Sequence, residues 1–115
     1  MADPPQSMPP MNTPGSLLQM APIVEGSIVS KPIVDAAGTR LILFSMDAGQ
    51  IMSEHRAPYT AVVHVLDGKL KFGVGGDGTH ALGPHDWLVM PPNQPHDLVA
   101  EEPCRFLLTL AKGGE

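Results

Sequence analysis

The stretch HDWLVMPPNQPHDLVA, residues 85–100, places a proline-rich turn between two short apolar runs. Proline lacks an amide donor and fixes φ, so the segment PPNQP at 91–95 ends one strand and separates it from the next. Residues 86–91 and 96–101 are therefore predicted to be two strands. This order of strand, turn and strand is the strongest fold signal in the chain.

Outward from this stretch, short apolar runs alternate with turns rich in Gly, Pro, Asn and Asp, which is typical of an all-β sandwich or barrel. No window sustains a helical apolar period, although SLLQM at 16–20 could form one helical turn. The predicted fold class is all-β. The remaining predicted strands are 23–30, 39–47, 51–55, 60–67, 69–75, 79–82 and 105–111.

Two of the turns predict how neighbouring strands pair. LDGKL at 66–70 joins two alternating strands through Asp-Gly, a dipeptide that accepts the positive φ of a tight hairpin. GVGGDGTH at 73–80 indicates a second, looser hairpin; it has no following helix and so lacks the context of a phosphate loop. Consecutive hairpins of this kind predict an antiparallel meander that closes into a barrel.

Composition limits the classes of function. A chain of 115 residues with 43% hydrophobic content is sufficient for one domain with one core. Seven basic and twelve acidic residues give a net charge of −5 without a basic stripe, so nucleic acid is not an expected partner. The apolar runs fall far short of the roughly 20 residues of a membrane helix, and no secretory signal is visible. We expect a soluble, cytoplasmic protein.

The chain divides into a leader and a body. Residues 1–15 contain five prolines and three methionines and are predicted to be disordered. Residues 16–115 form the predicted single domain. Cys104 is the one cysteine and lies in an alternating strand, so we interpret it as a core residue.

Two motifs in the body resemble those of the cupin superfamily. The first family motif reads Gly, five residues, His, one, His, three, Glu, six, Gly. Gly49, His55 and Gly68 fall at these spacings. Ala57 and Ala61 stand where the second His and the Glu belong, so two of the motif's ligand positions are lost.

The second family motif reads Gly, five residues, Pro, one, Gly, two, His, three, Asn. Pro91 and His96 match it, while His85, Asn93 and Ala100 stand at the two glycines and the asparagine. Asn tolerates the left-handed conformation well, so Asn93 is a mild departure. The resemblance spans roughly residues 40–111 and implies a small jelly-roll β-barrel with antiparallel strands and little or no helix.

The resemblance also implies a metal site with half of its ligands missing. In metal-binding cupins three histidines and a glutamate converge on a divalent ion inside the barrel, and only His55 and His96 stand at those positions here. Two imidazoles leave most of a transition metal's shell to water, and catalytic sites generally use at least three protein ligands. Two interpretations stay open: a weakly held Fe, Mn, Zn or Ni ion, and a polar pocket without metal.

Strand parity limits the other candidate ligands. If position 61 faces the interior, then 63 and 65 do too, and His64 faces outward at a sheet face or an interface. Tyr59 shares the parity of 61, but a phenol with an ordinary pKa near ~10 needs a strong Lewis acid to ionise. Glu54 and Asp97 each neighbour one of the two motif histidines and point to the opposite face in a regular strand.

Other side chains are candidates for a ligand pocket. Tyr59, Trp87 and Met90 could line it, with core packing as the alternative for Trp87 and Met90. His80 and His85 lie in Gly-rich turns, where exposure to solvent is expected.

Several functions are compatible with these residues. The first is a small-molecule-binding barrel with a two-His or absent metal site, acting as a sensor, storage or accessory module. The second is a metal-dependent oxygenase or isomerase in which His55, His96 and water or substrate are the ligands. A metal-free acid/base enzyme and a domain without chemistry are the others. The resemblance does not identify the ligand, because cupins host many unrelated activities.

Assembly is predicted from the N-terminal part of the body. A barrel this small exposes sheet edges and apolar faces, and small cupins similar to this one dimerise by exchanging or adding N-terminal strands. The segment MAPIVEGSIVSKPIV at 20–34 is apolar enough to be such a strand. We therefore predict a homodimer formed through this strand.

Overall fold

The computed structural model describes residues 11–112, which form one short helix and two antiparallel β-sheets. Their elements are α1 Leu17–Met20, β1 Ile28–Ala36, β2 Thr39–Met46, β3 Ile51–His55, β4 Thr60–Asp67, β5 Leu70–Val74, β6 Gly78–Leu82, β7 Trp87–Met90, β8 His96–Ala100 and β9 Cys104–Ala111. One sheet has the strand order β1-β2-β9-β4-β7 and the other the order β3-β8-β5-β6. This architecture confirms the all-β jelly-roll class, and α1 is the single helical turn predicted at 16–20.

The two sheets enclose one apolar core, and strand parity decides which side chains enter it. In β4, Ala61, Val63 and Val65 are buried, while His64 between them is exposed. The alternation predicted for this strand is therefore confirmed. It places the motif position at Ala61 inside the barrel and His64 outside it.

The first strand differs from the prediction in its position. The strand expected at 23–30 is β1 at Ile28–Ala36, which includes Pro32. Proline removes a ladder hydrogen bond, and a strand at the edge of a sheet tolerates this loss. β1 is such an edge strand, and its register shifts between Pro32 and Val34.

The hairpin predicted at Asp67-Gly68 is wrong. β4 belongs to the five-stranded sheet and β5 to the four-stranded sheet, so the dipeptide forms a corner between the sheets. A register shift between Val65 and Asp67 interrupts the end of β4. Gly68 has a φ of 78°, and the Pro103 carbonyl and Cys104 leave no space for a side chain there. The second predicted hairpin, between β5 and β6, is confirmed.

Cys104 is fully buried and free, as predicted for a core residue. Burial raises the pKa of its thiol to about 11, and the nearby Asp67 carboxylate acts in the same direction. The thiol is therefore protonated at neutral pH, whereas a nucleophilic cysteine needs the thiolate.

The N-terminal strap, residues 16–27, crosses the outer face of the five-stranded sheet. The Ser45 hydroxyl and the Arg105 guanidinium each donate a hydrogen bond to a strap carbonyl, at 3.1 and 2.9 Å. Ala21 of the strap and Leu43 of the sheet are fully buried, yet neither belongs to the core between the sheets. The strap therefore covers part of the outer face with a second, small apolar layer.

No helix among residues 11–112 is long and apolar enough to cross a membrane. The leader predicted to be disordered, 1–15, lies mostly outside the described residues. Its described part, 11–15, contains no helix or strand.

Candidate metal and ligand site

β3 and β8 bring His55 and His96 together at one end of the barrel. The two strands are antiparallel neighbours, and His55 is the register partner of His96. His55 is the last residue of β3 and His96 the first of β8. A register shift between Met52 and His55 interrupts the pairing just before the site, and irregularities of this kind re-aim a side chain.

A main-chain hydrogen bond orients each imidazole. His55 Nδ1 lies 2.7 Å from the Ser53 carbonyl oxygen, and His96 Nδ1 lies 2.9 Å from that of Gln94. A carbonyl oxygen only accepts, so each Nδ1 carries a proton and donates it. The two Nε2 atoms, which are 2.9 Å apart, then face each other with their lone pairs. Facing lone pairs repel, so this arrangement requires a cation between the rings, either a shared proton or a metal ion.

His96 is the more deeply buried member of the pair. The residue is 7% exposed, and its ring stacks on Phe72 with 5.6 Å between the ring centroids. Burial lowers the pKa of His96; the hydrogen bond to the Gln94 carbonyl opposes this, and the charge of His55 lowers the pKa further. The protonated form of His96 is therefore less favoured than that of a solvent-exposed imidazole.

A small cavity lies against the two histidines in the barrel interior. Its volume is about 30 Å³, which is enough for one or two water molecules at roughly 15 Å³ each. A larger ligand must therefore bind partly outside the cavity or displace side chains. Apart from the two imidazoles the wall is apolar, and it consists of Phe44, Met52, Val63, Phe72, Leu98, Phe106 and Leu108.

Alanine fills both of the missing ligand positions. Ala61 is 3% exposed and faces the interior, and Ala57 packs against the core. The carbonyl of Ala57 accepts a hydrogen bond from the Asn93 amide at 2.7 Å, so it is already used by the turn. Among residues 11–112, no three His, Cys, Asp or Glu side chains lie where they could hold one metal ion.

The three predicted pocket residues do not line this cavity. Met90 is 1% exposed in the core, and Tyr59 packs partly buried against it. Trp87 is 67% exposed, because it pairs with the outward-facing His64 and projects to the same outer face. Trp87 therefore lies neither in the core nor in the pocket, the two positions predicted for it.

The other polar candidates are exposed, as predicted, but one of them lies in a strand. Glu54 and Asp97 are exposed beside the two motif histidines, and His85 is exposed in the turn before β7. His80, expected in a Gly-rich turn, is the central residue of β6 and pairs with Phe72. None of them adds a donor to the pair in this structure.

Sequence reasoning missed the aromatic wall of the site. Phe72 stacks on His96, and Phe44 stacks on Phe106 with 5.0 Å between the ring centroids. The three phenylalanines lie in β2, β5 and β9, strands in which inward-facing and outward-facing residues alternate. The same inward and outward alternation that was used for β4 could have identified them as inward-facing.

The backbone keeps the glycine-like conformation at both glycine positions of the second motif. His85 has a φ of 72° and Asn93 a φ of 65°. This left-handed region is uncommon for residues other than glycine, and Asn and His are among those enriched in it. The turns that frame the site are therefore retained although the glycines are not.

The comparisons with known proteins agree with this geometry. The family model described as "Cupin domain" matches residues 42–110, and the chain belongs to this family. No curated protein matches the chain in sequence.

Solved structures with the same fold extend the comparison. A conserved protein of unknown function from Streptococcus pyogenes is 27% identical with a TM-score of 0.82, over 90% of each chain. A cupin 2 conserved barrel domain protein from Leptotrichia buccalis is 35% identical with a TM-score of 0.77, over 82% of this chain and 45% of that one. The DMSP lyase DddQ from Ruegeria pomeroyi is 20% identical, with a TM-score of 0.68 over 73% of this chain and 46% of the lyase, a likeness that concerns the fold alone.

Proposed function

We propose that this chain is a small-molecule-binding cupin in which His55 and His96 hold one divalent transition metal, with water or the small molecule completing the coordination shell. The observation that carries the proposal is the convergence of the two Nε2 atoms at 2.9 Å while both Nδ1 atoms are hydrogen-bonded to carbonyls. This arrangement presents two lone pairs to one point.

The donor set fits such an ion. Two nitrogen atoms bound to one metal at about 2.1 Å, roughly at a right angle, are about 3 Å apart. The Nε2 separation of 2.9 Å agrees with this value. Imidazole nitrogens suit Fe, Ni and Zn. A hydrogen bond from the other ring nitrogen is the usual way in which a ligating histidine is oriented.

The charge of the site supports a weakly held ion and an anionic ligand. Both imidazoles are neutral when they bind metal, and alanine replaces the carboxylate that the family motif would supply. The ion's double charge then lies beside apolar walls with no carboxylate among its ligands, and the Asp97 carboxylate, whose charge acts on His96, lies outside the cavity. A small molecule that brings an anionic oxygen offsets this charge, so such molecules are the class we expect.

The chain's own residues would position the ligand. His55 and His96 are fixed by the Ser53 and Gln94 carbonyls, so little reorientation is needed on binding. The wall that includes Phe72 leaves room for only about one or two water molecules on the inner side of the pair. A bound divalent metal would act as a Lewis acid toward an oxygen atom of the ligand.

Equilibrium dialysis against Co²⁺ at about pH 7.5, with protein carrying no His tag, tests the proposal directly. The expected result is about one Co²⁺ per chain in the parent protein and in the matched control His64→Ala, whose side chain faces outward. His55→Ala and His96→Ala should each lose this binding. Equal binding by all four proteins would contradict the proposal.

A further inference from the structure

The cavity beside the two histidines has one more residue with a donor atom in its side chain. Met52 carries a thioether sulfur, whereas the lining residues other than Met52, His55 and His96 have hydrocarbon side chains. Met52 belongs to β3 and packs, partly buried, against the core. Met52 and the two histidines therefore border one space of about 30 Å³.

The pairing of β3 with β8 places Met52 next to the histidine pair. Met52 is the register partner of Leu98, and His55 is the register partner of His96, so the two pairs follow one another on the same two strands. Successive pairs on one face of a sheet are about 7 Å apart. A methionine side chain has three rotatable bonds and adapts to irregular space, so its sulfur can approach the neighbouring pair.

The spacing of the imidazoles leaves one side of a bound ion open. Two donors on opposite sides of an ion, each at about 2 Å, would be about 4 Å apart. The Nε2 atoms of His55 and His96 are 2.9 Å apart, so both approach an ion from the same side. An ion held by this pair has its other side free for a third donor, and Met52 is the residue of the cavity wall that carries one.

The donors and the charge of the cavity wall favour a soft ion of low charge. Imidazole and thioether are both neutral, and no carboxylate lines the cavity. The cost of removing an ion from water increases with the square of its charge, so a monovalent ion is desolvated at about a quarter of the cost of a divalent one. Thioether sulfur is a soft ligand and selects copper(I) among the biological transition metals.

From these observations we infer that Met52 is the third protein donor of the metal site and that the site prefers copper(I) to divalent ions. The inference rests on the proposed function, because it uses the same two histidines. It goes beyond that function by naming the ion and a third ligand. Met52 stands at one of the five unspecified positions before His55 in the first motif, so the motif itself does not assign it a role.

Other buried sulfur atoms of the chain lie away from this cavity. Met90 is 1% exposed and Cys104 is 0% exposed in the core, and neither residue lines the cavity wall. Met90→Leu is therefore the matched control for Met52→Leu, since both variants exchange a methionine for a leucine of similar volume.

Competition for Cu(I) against bicinchoninate, under anaerobic conditions with ascorbate and with protein carrying no His tag, tests the inference. Met52→Leu should weaken Cu(I) binding by about 30-fold or more, because the soft donor is lost. Its Co²⁺ binding should change by less than about threefold, because the imidazole pair is intact. Met90→Leu should bind both ions within about twofold of the parent protein.

The outcomes separate this inference from the proposed function. Co²⁺ binding that requires His55 and His96, together with Cu(I) binding that Met52→Leu leaves unchanged, overturns the inference and leaves the proposed function intact. Cu(I) binding that requires all three residues, in a parent protein that does not bind Co²⁺, supports the inference and contradicts the proposed divalent site. Equal Cu(I) binding by the parent, His55→Ala and Met52→Leu places the ion elsewhere in the chain and overturns the inference.

Methionine methyl resonances give a readout at the sulfur itself. Cu(I) has a closed d shell, so the spectra of protein labelled with ¹³C in the methionine methyl groups stay sharp when it binds. Among the seven methionines of the chain, we expect one equivalent of Cu(I) to shift the resonance that is missing from the spectrum of Met52→Leu. Shifts confined to other methionines would overturn the inference.

Discussion

His96 lies in the four-stranded sheet and His64 in the five-stranded sheet of the same barrel, and their surroundings differ. His96 is 7% exposed, hydrogen-bonded through Nδ1 and 2.9 Å from a second imidazole, whereas His64 is exposed on the outer face between Leu107 and Trp87. The difference follows from strand parity and register, because the same residue type faces the interior in β8 and the solvent in β4. Position on a strand, rather than residue identity, therefore separates a candidate metal ligand from an exposed surface residue.

The largest expected effect is the loss of metal affinity on replacing His96, compared with replacing His64. His96→Ala should weaken Zn²⁺ binding by at least about 100-fold, because one of two protein donors is lost. His64→Ala should change it by less than about twofold. Isothermal titration of both variants beside the parent protein measures the difference. Comparable losses in the two variants would remove the distinction between the inner and the outer histidine.

A lost ligand can be restored on the inner face. Ala61→Glu places a carboxylate at the motif position, and we expect Zn²⁺ to bind about tenfold more tightly or better than in the parent protein. Without metal the variant should be less stable by about 1–3 kcal/mol, since a larger, polar side chain enters the core. Val62→Glu is the matched control one residue along the strand, on the outer face, and should leave metal affinity unchanged. If Ala61→Glu and Val62→Glu bind Zn²⁺ equally tightly, position 61 does not face the metal site.

A pH dependence of stability should come from His96. Burial lowers the pKa of His96 below its ordinary value of about 6.5. Below that value the unfolded chain binds more protons than the folded chain, so the free energy of unfolding of metal-free protein should decrease as the pH falls from about 6.5. Urea unfolding at several pH values should show this decrease in the parent protein and in His64→Gln. A His96→Gln variant should show a smaller decrease, and an unchanged slope would contradict the assignment.

The sequence predicted the parts of this molecule that depend on local chemistry. The strand from 60 to 67, its inward and outward faces and the burial of Cys104 follow from apolar alternation, and the structure agrees. The corner at Gly68 could not be predicted, because an Asp-Gly turn serves a hairpin and a corner between sheets equally well, and the packing of Pro103 decides between them. The sequence predicts the first strand too early in the chain, because β1 tolerates Pro32 only as an edge strand, and an edge position is a property of the whole sheet.

The site was predicted only in outline. The motif spacing identified His55 and His96, but the distance between their Nε2 atoms depends on a register and on two carbonyl acceptors that no spacing reveals. The sequence offers Trp87 as a pocket or a core residue, but it is exposed, and this exposure depends on its pairing with His64 on the outer face.

The most direct test of the central claim is to observe the imidazole nitrogens by ¹⁵N NMR of uniformly labelled protein, before and after one equivalent of Zn²⁺. We predict that Nδ1 of His55 and His96 remains protonated throughout, that Nε2 of both rings shifts together on Zn²⁺ addition, and that His64 does not respond. A proton on Nε2 that persists in the presence of Zn²⁺, or a response confined to His64, His80 or His85, would contradict the account.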